Sequence, residues 1–102
     1  MSELSDQELL ALSRKEESRH YAFNLMVRQY QQRLHSFVRR MVTDPDETKD
    51  VLQNVFIKAW NGLDRFREDA QLYSWLYRIA HNESISHLKR MRRGLFVNHD
   101  AV

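Results

Sequence analysis

The sequence predicts an all-α fold, a compact three- to four-helix bundle, and three observations support this class. Only two glycines and one proline occur in 102 residues, whereas a β-sandwich or β-barrel needs a turn every ~8–12 residues. Apolar residues recur three and four positions apart, which is the spacing of one helix face. A chain of this length supports one modest core. We therefore expect one helical domain over 19–94, a short preceding helix within 1–18 and the start of a linker over 95–102.

Two helices are predicted in the first half of the chain. Ser5 and Glu8 have the spacing of a capping box, which starts a short leucine-rich helix. A longer helix is predicted from about Arg19 to Val42, because its apolar residues keep the helical spacing throughout. The next residues, 43–45, interrupt that pattern and end the helix.

Two more helices are predicted in the second half. Asp44 as N-cap and Pro45 at the first helical position start the third helix, and Gly62 ends it. Its expected buried face comprises Val51, Leu52, Val55, Phe56, Ala59 and Trp60. After a polar connector, Asp69 is placed to cap the last helix, which we expect to end at Gly94. Its expected core face comprises Leu72, Leu76, Ile79, Ala80 and Leu88.

The composition argues against catalysis. The absence of cysteine excludes disulfides, thiolate metal sites and thiol nucleophiles. The five histidines include no pair at the i, i+4 spacing that presents two imidazoles to one metal. The acidic residues over 44–50 suit a helix N-terminus without any catalytic role. We therefore expect no enzyme activity, no metal and no cofactor.

Nothing in the chain predicts membrane insertion or export. No apolar run approaches the ~18 residues that span a membrane. The acidic N-terminus lacks the basic start and apolar middle of a signal peptide. We therefore expect a cytoplasmic protein.

Positive charge is concentrated in the second half. Residues 1–50 carry 8 basic and 9 acidic side chains, and residues 51–102 carry 8 and 5. The excess culminates in a basic run, which comprises Lys89, Arg90, Arg92 and Arg93. Such a run is either a solvated helix face or a phosphate-binding surface, and charge alone does not decide between them.

Two other helix faces allow alternative interpretations. On the third helix, a polar ridge faces away from the apolar stripe; it comprises Asp50, Gln53, Asn54 and Ile57. This ridge is either an ordinary wet face or a docking surface for another protein. On the fourth helix, Tyr73, Trp75 and Tyr77 interleave with core residues. Core packing is the favoured interpretation, and stacking on a nucleobase is the alternative.

Two segments together resemble region 2 of bacterial sigma factors of the extracytoplasmic-function (ECF) group. They are DETKDVLQNVFIKAWNGLDRFRE and YSWLYRIAHNESISHLKRMRR. The resemblance rests on Asp-x-x-Gln and Val-Phe-x-Lys-Ala-Trp in one helix, a polar loop with a Phe-Arg start, and Trp-Leu-Tyr-Arg-Ile-Ala-x-Asn before the basic run. It covers about residues 20–93 and implies a bacterial transcription initiation factor.

The resemblance also implies partners. In that group the third helix docks on the clamp helices of the RNA polymerase β′ subunit, which assigns the polar ridge to polymerase binding. Asn54 departs from the acid common at its position. The loop over 63–70, called here the recognition loop, would hold a base flipped from the non-template strand of the promoter minus-ten element. The implied DNA-binding residues are Arg65, Phe66, Arg67 and Asp69 in this loop, Arg78 and Asn82 on the fourth helix, and the basic run.

Two functional alternatives remain open from the sequence. The first is a domain that binds polymerase and the minus-ten element, without the region 4 that recognises the minus-thirty-five element. The second is a helical protein-interaction module, held chiefly by an anti-sigma factor, whose basic helix is merely solvated.

Overall fold

The structure, a computed structural model, describes residues 4–66 and 71–100, with the backbone alone over 95–100. These residues form four α-helices and no β-strand, so the all-α prediction is confirmed. The helices are α1 (Asp6–Ser13), α2 (Arg19–Val42), α3 (Pro45–Gly62) and α4 (Leu72–Asp100), with 3-10 turns at Glu16–Ser18 and Leu63–Arg65.

The predicted caps start α1 and α3. The Ser5 hydroxyl accepts the Glu8 backbone N–H at 3.2 Å, and the Glu8 carboxylate accepts the Ser5 N–H at 3.0 Å. The backbone and hydroxyl of Ser5 hold the pKa of Glu8 below its ordinary value. At α3 the Asp44 carboxylate accepts the Glu47 N–H at 2.8 Å. These short-range bonds satisfy N–H groups that a helix start leaves without intrahelical partners.

The helices α2, α3 and α4 form the bundle. The end of α3 lies beside the start of α2, since Trp60 stacks on His20 at a centroid distance of 4.7 Å. The start of α3 lies beside the later part of α4, since Glu47 approaches His87 to 3.6 Å. Helix α3 is therefore antiparallel to α2 and to α4, and α2 and α4 are parallel.

One hydrophobic cluster joins all four helices. Its fully buried members include Leu9, Leu34, Val38, Val51, Val55, Leu63 and Leu72. Helix α1 contributes Leu9 and Leu10 and packs on α2, where the Tyr30 hydroxyl donates to the Asp6 carboxylate at 2.6 Å. Within the described residues, no helix is both long and apolar enough to cross a membrane.

The aromatic residues of α4 pack against the core, as the favoured interpretation held. Tyr73 lies against Tyr30 with ring centroids 5.6 Å apart, and Tyr77 lies edge-on to Phe37 at 4.9 Å. Burial and the neighbouring Tyr73 raise the pKa of the Tyr77 phenol. The partial burial of these rings and their contacts with other rings explain why aromatic residues stand at these positions, without stacking on a nucleobase.

Two predictions about the end of α4 are wrong. The helix does not stop at Gly94 but continues to Asp100. One helical glycine costs about 1 kcal/mol relative to alanine, which is too little to end a helix by itself. Leu88 is not a core residue, because 38% of it is exposed. His87 lies beside the first turn of α3. Because α4 is antiparallel to α3, the residues of α4 that follow His87 extend beyond the N-terminus of α3.

Candidate functional site

The polar ridge lies on the exposed side of α3. All four members, Asp50, Gln53, Asn54 and Ile57, are exposed. At 100° per residue they fall within an arc of about 100°, and the buried Val51 and Val55 lie outside it. Ile57 is a large apolar side chain with 50% of its surface exposed. The ridge thus offers an apolar contact bordered by amide and carboxylate groups.

An apolar groove borders this ridge between α2 and α3. It encloses about 450 Å³ and is lined by His20, Phe23, Asn24, Gln53, Phe56, Ile57 and Trp60. Trp60 is fixed in its wall by His20, by the Phe23 ring edge at 5.2 Å and by the Arg19 guanidinium 4.3 Å from its ring. The sequence predicted Phe56 and Trp60 as core, and the structure leaves both half-buried.

The start of the recognition loop is anchored in the core. Leu63 is 2% exposed and Phe66 is 5% exposed, and the Phe66 ring lies 4.9 Å from the Trp75 ring. Phe66 was predicted to bind DNA; its buried ring instead fixes the loop to α4. Arg65, between these anchors, is exposed. The predicted DNA-binding residues Arg67 and Asp69 lie outside the described residues.

Two arginines near the α1–α2 junction hold the same turn. Arg14 donates to the carbonyl oxygen of Phe66 at 2.8 Å and to that of Asp64 at 3.4 Å. Arg19 donates to the carbonyl oxygen of Trp60 at 3.0 Å and pairs with the Asp64 carboxylate at 3.0 Å. Sequence reasoning missed both arginines, because their partners lie 41 to 52 residues away and no local pattern marks them.

A basic stripe runs along α4. Arg78, Asn82 and the four residues of the basic run are all exposed. Arg78, Asn82, Lys89 and Arg93 fall within about 60° of one another and span roughly 22 Å along the helix axis. The stripe is therefore a linear array of cations with one amide, well suited to a polyanionic strand.

An ion pair joins α3 to α4 at the edge of the bundle, between an exposed lysine and a buried glutamate. The Lys58 ammonium lies 2.6 Å from the Glu83 carboxylate, whose side chain is only 7% exposed. Across residues 4–66 and 71–94, no cluster of three or more His, Asp or Glu side chains is arranged to hold a metal ion.

The comparisons with known proteins point to one family. The family model for sigma-70 region 2 matches residues 26–94. The chain is 46% identical over 89 residues to the ECF RNA polymerase sigma-E factor of Escherichia coli K12. It is 40% identical over 88 residues to the RNA polymerase sigma-H factor of Pseudomonas aeruginosa. Each alignment covers 86% of this chain and 45% of the relative, so the chain spans less than half the length of these proteins.

A solved structure shares the fold. It is the NMR structure of an engineered region 2 of sigmaE in complex with GTAAAA. The two structures superpose with a TM-score of 0.80 at 39% sequence identity. The match covers 93% of this chain and 98% of the solved one.

Proposed function

The chain belongs to the sigma-70 region 2 family, and we propose that it recognises the promoter minus-ten element and docks on RNA polymerase as part of an ECF sigma factor. One observation carries the proposal: the fold matches nearly the whole of a region 2 whose solved structure holds GTAAAA. Sigma factors are transcription initiation factors and not enzymes, so the prediction of no enzyme activity is confirmed. The proposed place of action is the bacterial cytoplasm, where polymerase works.

For DNA, we propose capture of one flipped base by the recognition loop. Unstacking a base costs a few kcal/mol, which contacts to that base and to the adjoining phosphates must offset. The exposed Arg65 stands at the loop entry, and Arg67 and Asp69 follow it in the sequence. Because Leu63 and Phe66 are buried, the loop starts from a fixed point of the bundle.

The basic stripe supplies the phosphate contacts in this proposal. Arg78 and Asn82 lie one helical turn apart near the loop, where strand separation would begin. The basic run lies farther along α4, where it would hold the phosphates of the upstream duplex. Arginine and lysine contacts to phosphates position a protein on DNA without reading its sequence. Base selection is therefore assigned to the recognition loop.

For polymerase, we propose that the β′ clamp helices dock on the polar ridge and the adjoining apolar groove. The half-exposed Ile57 and the wall residue Trp60 provide the apolar anchors that dominate binding at interfaces. Gln53 belongs to both surfaces, so its amide would lie at the centre of the contact. Asn54 is neutral where related proteins commonly carry an acid, and it would contribute a neutral hydrogen bond in place of a charge-assisted one.

The experiment that tests promoter recognition is selection on single-stranded DNA. Fluorescence anisotropy compares the affinity of the chain for single-stranded GTAAAA with its affinity for the complementary single strand. Selection from random heptamers gives the preferred sequence. We expect the chain to bind GTAAAA more tightly than the complementary strand, and we expect the selection to favour sequences similar to GTAAAA. Exchange of the recognition loop for that of another ECF sigma factor should change the preferred base at one position, while helicity and clamp binding persist. Identical preferences before and after the exchange would place base selection elsewhere, around Asn82.

The groove also supports the second candidate, a module held by an anti-sigma factor. A groove walled by Phe23, Phe56 and Trp60 suits an amphipathic helix from either partner. If anti-sigma binding is the main role, the chain will fail to discriminate between DNA strands even when the clamp helices are present. Sequence-selective DNA binding would reject this alternative.

A further inference from the structure

The turn that leads into the recognition loop is held from two sides. On the inner side, Leu63 and Phe66 are inserted into the core. On the outer side, Arg14 and Arg19 reach across from the α1–α2 junction to the carbonyl oxygens of Trp60, Asp64 and Phe66. The apolar contacts fix how deep the turn lies, and the arginine contacts fix the orientation of its backbone.

The arginines act on carbonyl groups at and just beyond the end of α3; the Trp60 carbonyl also accepts the Leu63 backbone N–H. The carbonyl groups that end a helix have no intrahelical donors and carry partial negative charge, which nearby cations stabilise. Trp60 lies in the last turn of α3, and Asp64 and Phe66 follow that helix directly. The Arg19 guanidinium also lies over the Trp60 ring and pairs with the Asp64 carboxylate. The two guanidinium groups therefore serve as a distant cap for α3 and its 3-10 turn.

Resting on the proposed function, we infer that Arg14 and Arg19 are positioning residues for promoter recognition. They hold the backbone of 60–66 in the orientation from which the recognition loop leaves the bundle, and they do so without contacting DNA. The N-terminal helix is thereby connected to base selection through hydrogen bonds and not through the core alone.

The test compares Arg14→Ala with Arg14→Lys and with the control Arg28→Ala. Arg28 is an exposed arginine of α2, nine residues after Arg19 and hence on the opposite side of that helix. Hydrogen bonds from a charged donor are worth about 1.5–3 kcal/mol, and the turn stays anchored by Phe66. We therefore expect Arg14→Ala to bind GTAAAA about 10-fold more weakly, with an altered preference in heptamer selection. Arg14→Lys should recover part of the affinity, since one ammonium cannot reach both carbonyl groups as a planar fork does.

Three further measurements separate positioning from other roles. The Phe66 amide, which donates to the Leu63 carbonyl at 3.2 Å, should exchange its hydrogen faster in Arg14→Ala than in the parent. Clamp-helix binding should be unchanged, because the Arg14 hydrogen bonds go to Asp64 and Phe66, which belong neither to the polar ridge nor to the lining of the apolar groove. The salt dependence of DNA binding should also be unchanged, whereas loss of a direct phosphate contact would lower its slope by about 0.7 for a single strand.

Arg19 is tested through its partner, since its own side chain is largely buried. Asp64→Ala removes an exposed carboxylate, and we expect binding to fall by less than about fivefold. Unchanged affinity and base preference in Arg14→Ala, or a smaller salt slope, would overturn the inference alone. Failure of the parent chain to bind any single strand would instead refute the proposed function, and the inference with it.

Discussion

Loss of the lysine from the Lys58–Glu83 ion pair should destabilise the domain by about 2 kcal/mol. This value lies between two limits. Exposed pairs are worth about 0–1 kcal/mol, and removing one partner of a buried pair costs about 3–5 kcal/mol. Here the Glu83 side chain is 7% exposed and the Lys58 side chain is 62% exposed, with 2.6 Å between the charged atoms. One partner of the pair is nearly buried and the other is mostly exposed, so removing Lys58 should cost an amount between these two limits.

The assay is thermal and urea unfolding of Lys58→Met, which keeps the chain length and removes the charge. A loss of about 2 kcal/mol corresponds to a fall in Tm of about 8–16 °C for a domain of this size. Lys49→Met is the matched control, because Lys49 is an exposed lysine of the same helix nine residues earlier. We expect the control to change the free energy of unfolding by less than about 0.5 kcal/mol.

A double variant tests the physical explanation. Replacing both partners by apolar residues, Lys58→Met with Glu83→Leu, should recover most of the lost stability, because no unpaired charge then remains buried. Equal stability of Lys58→Met and Lys49→Met would refute the reasoning. So would a double variant that is as unstable as the single one.

Three more predictions follow from the caps and the surfaces. Ser5→Ala should lower the free energy of unfolding by about 1 kcal/mol, measured by urea unfolding. Folding lowers the pKa of Glu8, chiefly through the Ser5 backbone N–H, so the contribution of the Glu8 carboxylate is present at neutral pH and is lost as the pH falls through the folded value. Ser5→Ala keeps this backbone N–H and removes a bond to a backbone group that does not titrate, so parent and variant should lose stability together and most of the difference between them should persist at pH 3. Gln53→Ala should weaken clamp-helix binding while changing the free energy of unfolding by less than about 1 kcal/mol, and early melting or full-strength binding would contradict the surface assignment. Arg92→Ala should weaken binding to all duplex-containing sequences alike and reduce the salt slope by about one unit, whereas a changed base preference in the selection would count against a phosphate contact.

Local signals predicted most helix bounds from the sequence. Ser5 with Glu8, and Asp44 with Pro45, are signals confined to a few neighbouring residues, and both caps formed as predicted. The prediction that the last helix ends at Gly94 also relied on a local signal and is wrong, because the cost of a single glycine is too small to end a helix by itself. A glycine therefore predicts the end of a helix only together with a second sequence signal, and the segment around Gly94 has no such signal.

The tertiary consequences were less predictable. Helical spacing identifies an apolar face but not where its partner helix ends, so Leu88 was expected in the core although α3 does not extend to it. Phe66 lay in a polar stretch and was assigned to DNA, whereas its ring packs on Trp75. The contacts of Arg14 and Arg19 arise only when distant segments meet. The resemblance to a family could supply roles for surface residues, but not these contacts.

The two tryptophans of the chain stand at two different proposed contact surfaces. Trp60 forms the wall of the apolar groove, and Trp75 supports Phe66 beneath the recognition loop. Their intrinsic fluorescence therefore provides an unlabelled optical signal from each surface. With Trp75→Phe, emission reports occupancy of the groove, and with Trp60→Phe it reports events at the loop entry. Stopped-flow mixing of these two variants with clamp helices and DNA together can resolve the order in which polymerase and DNA engage the domain.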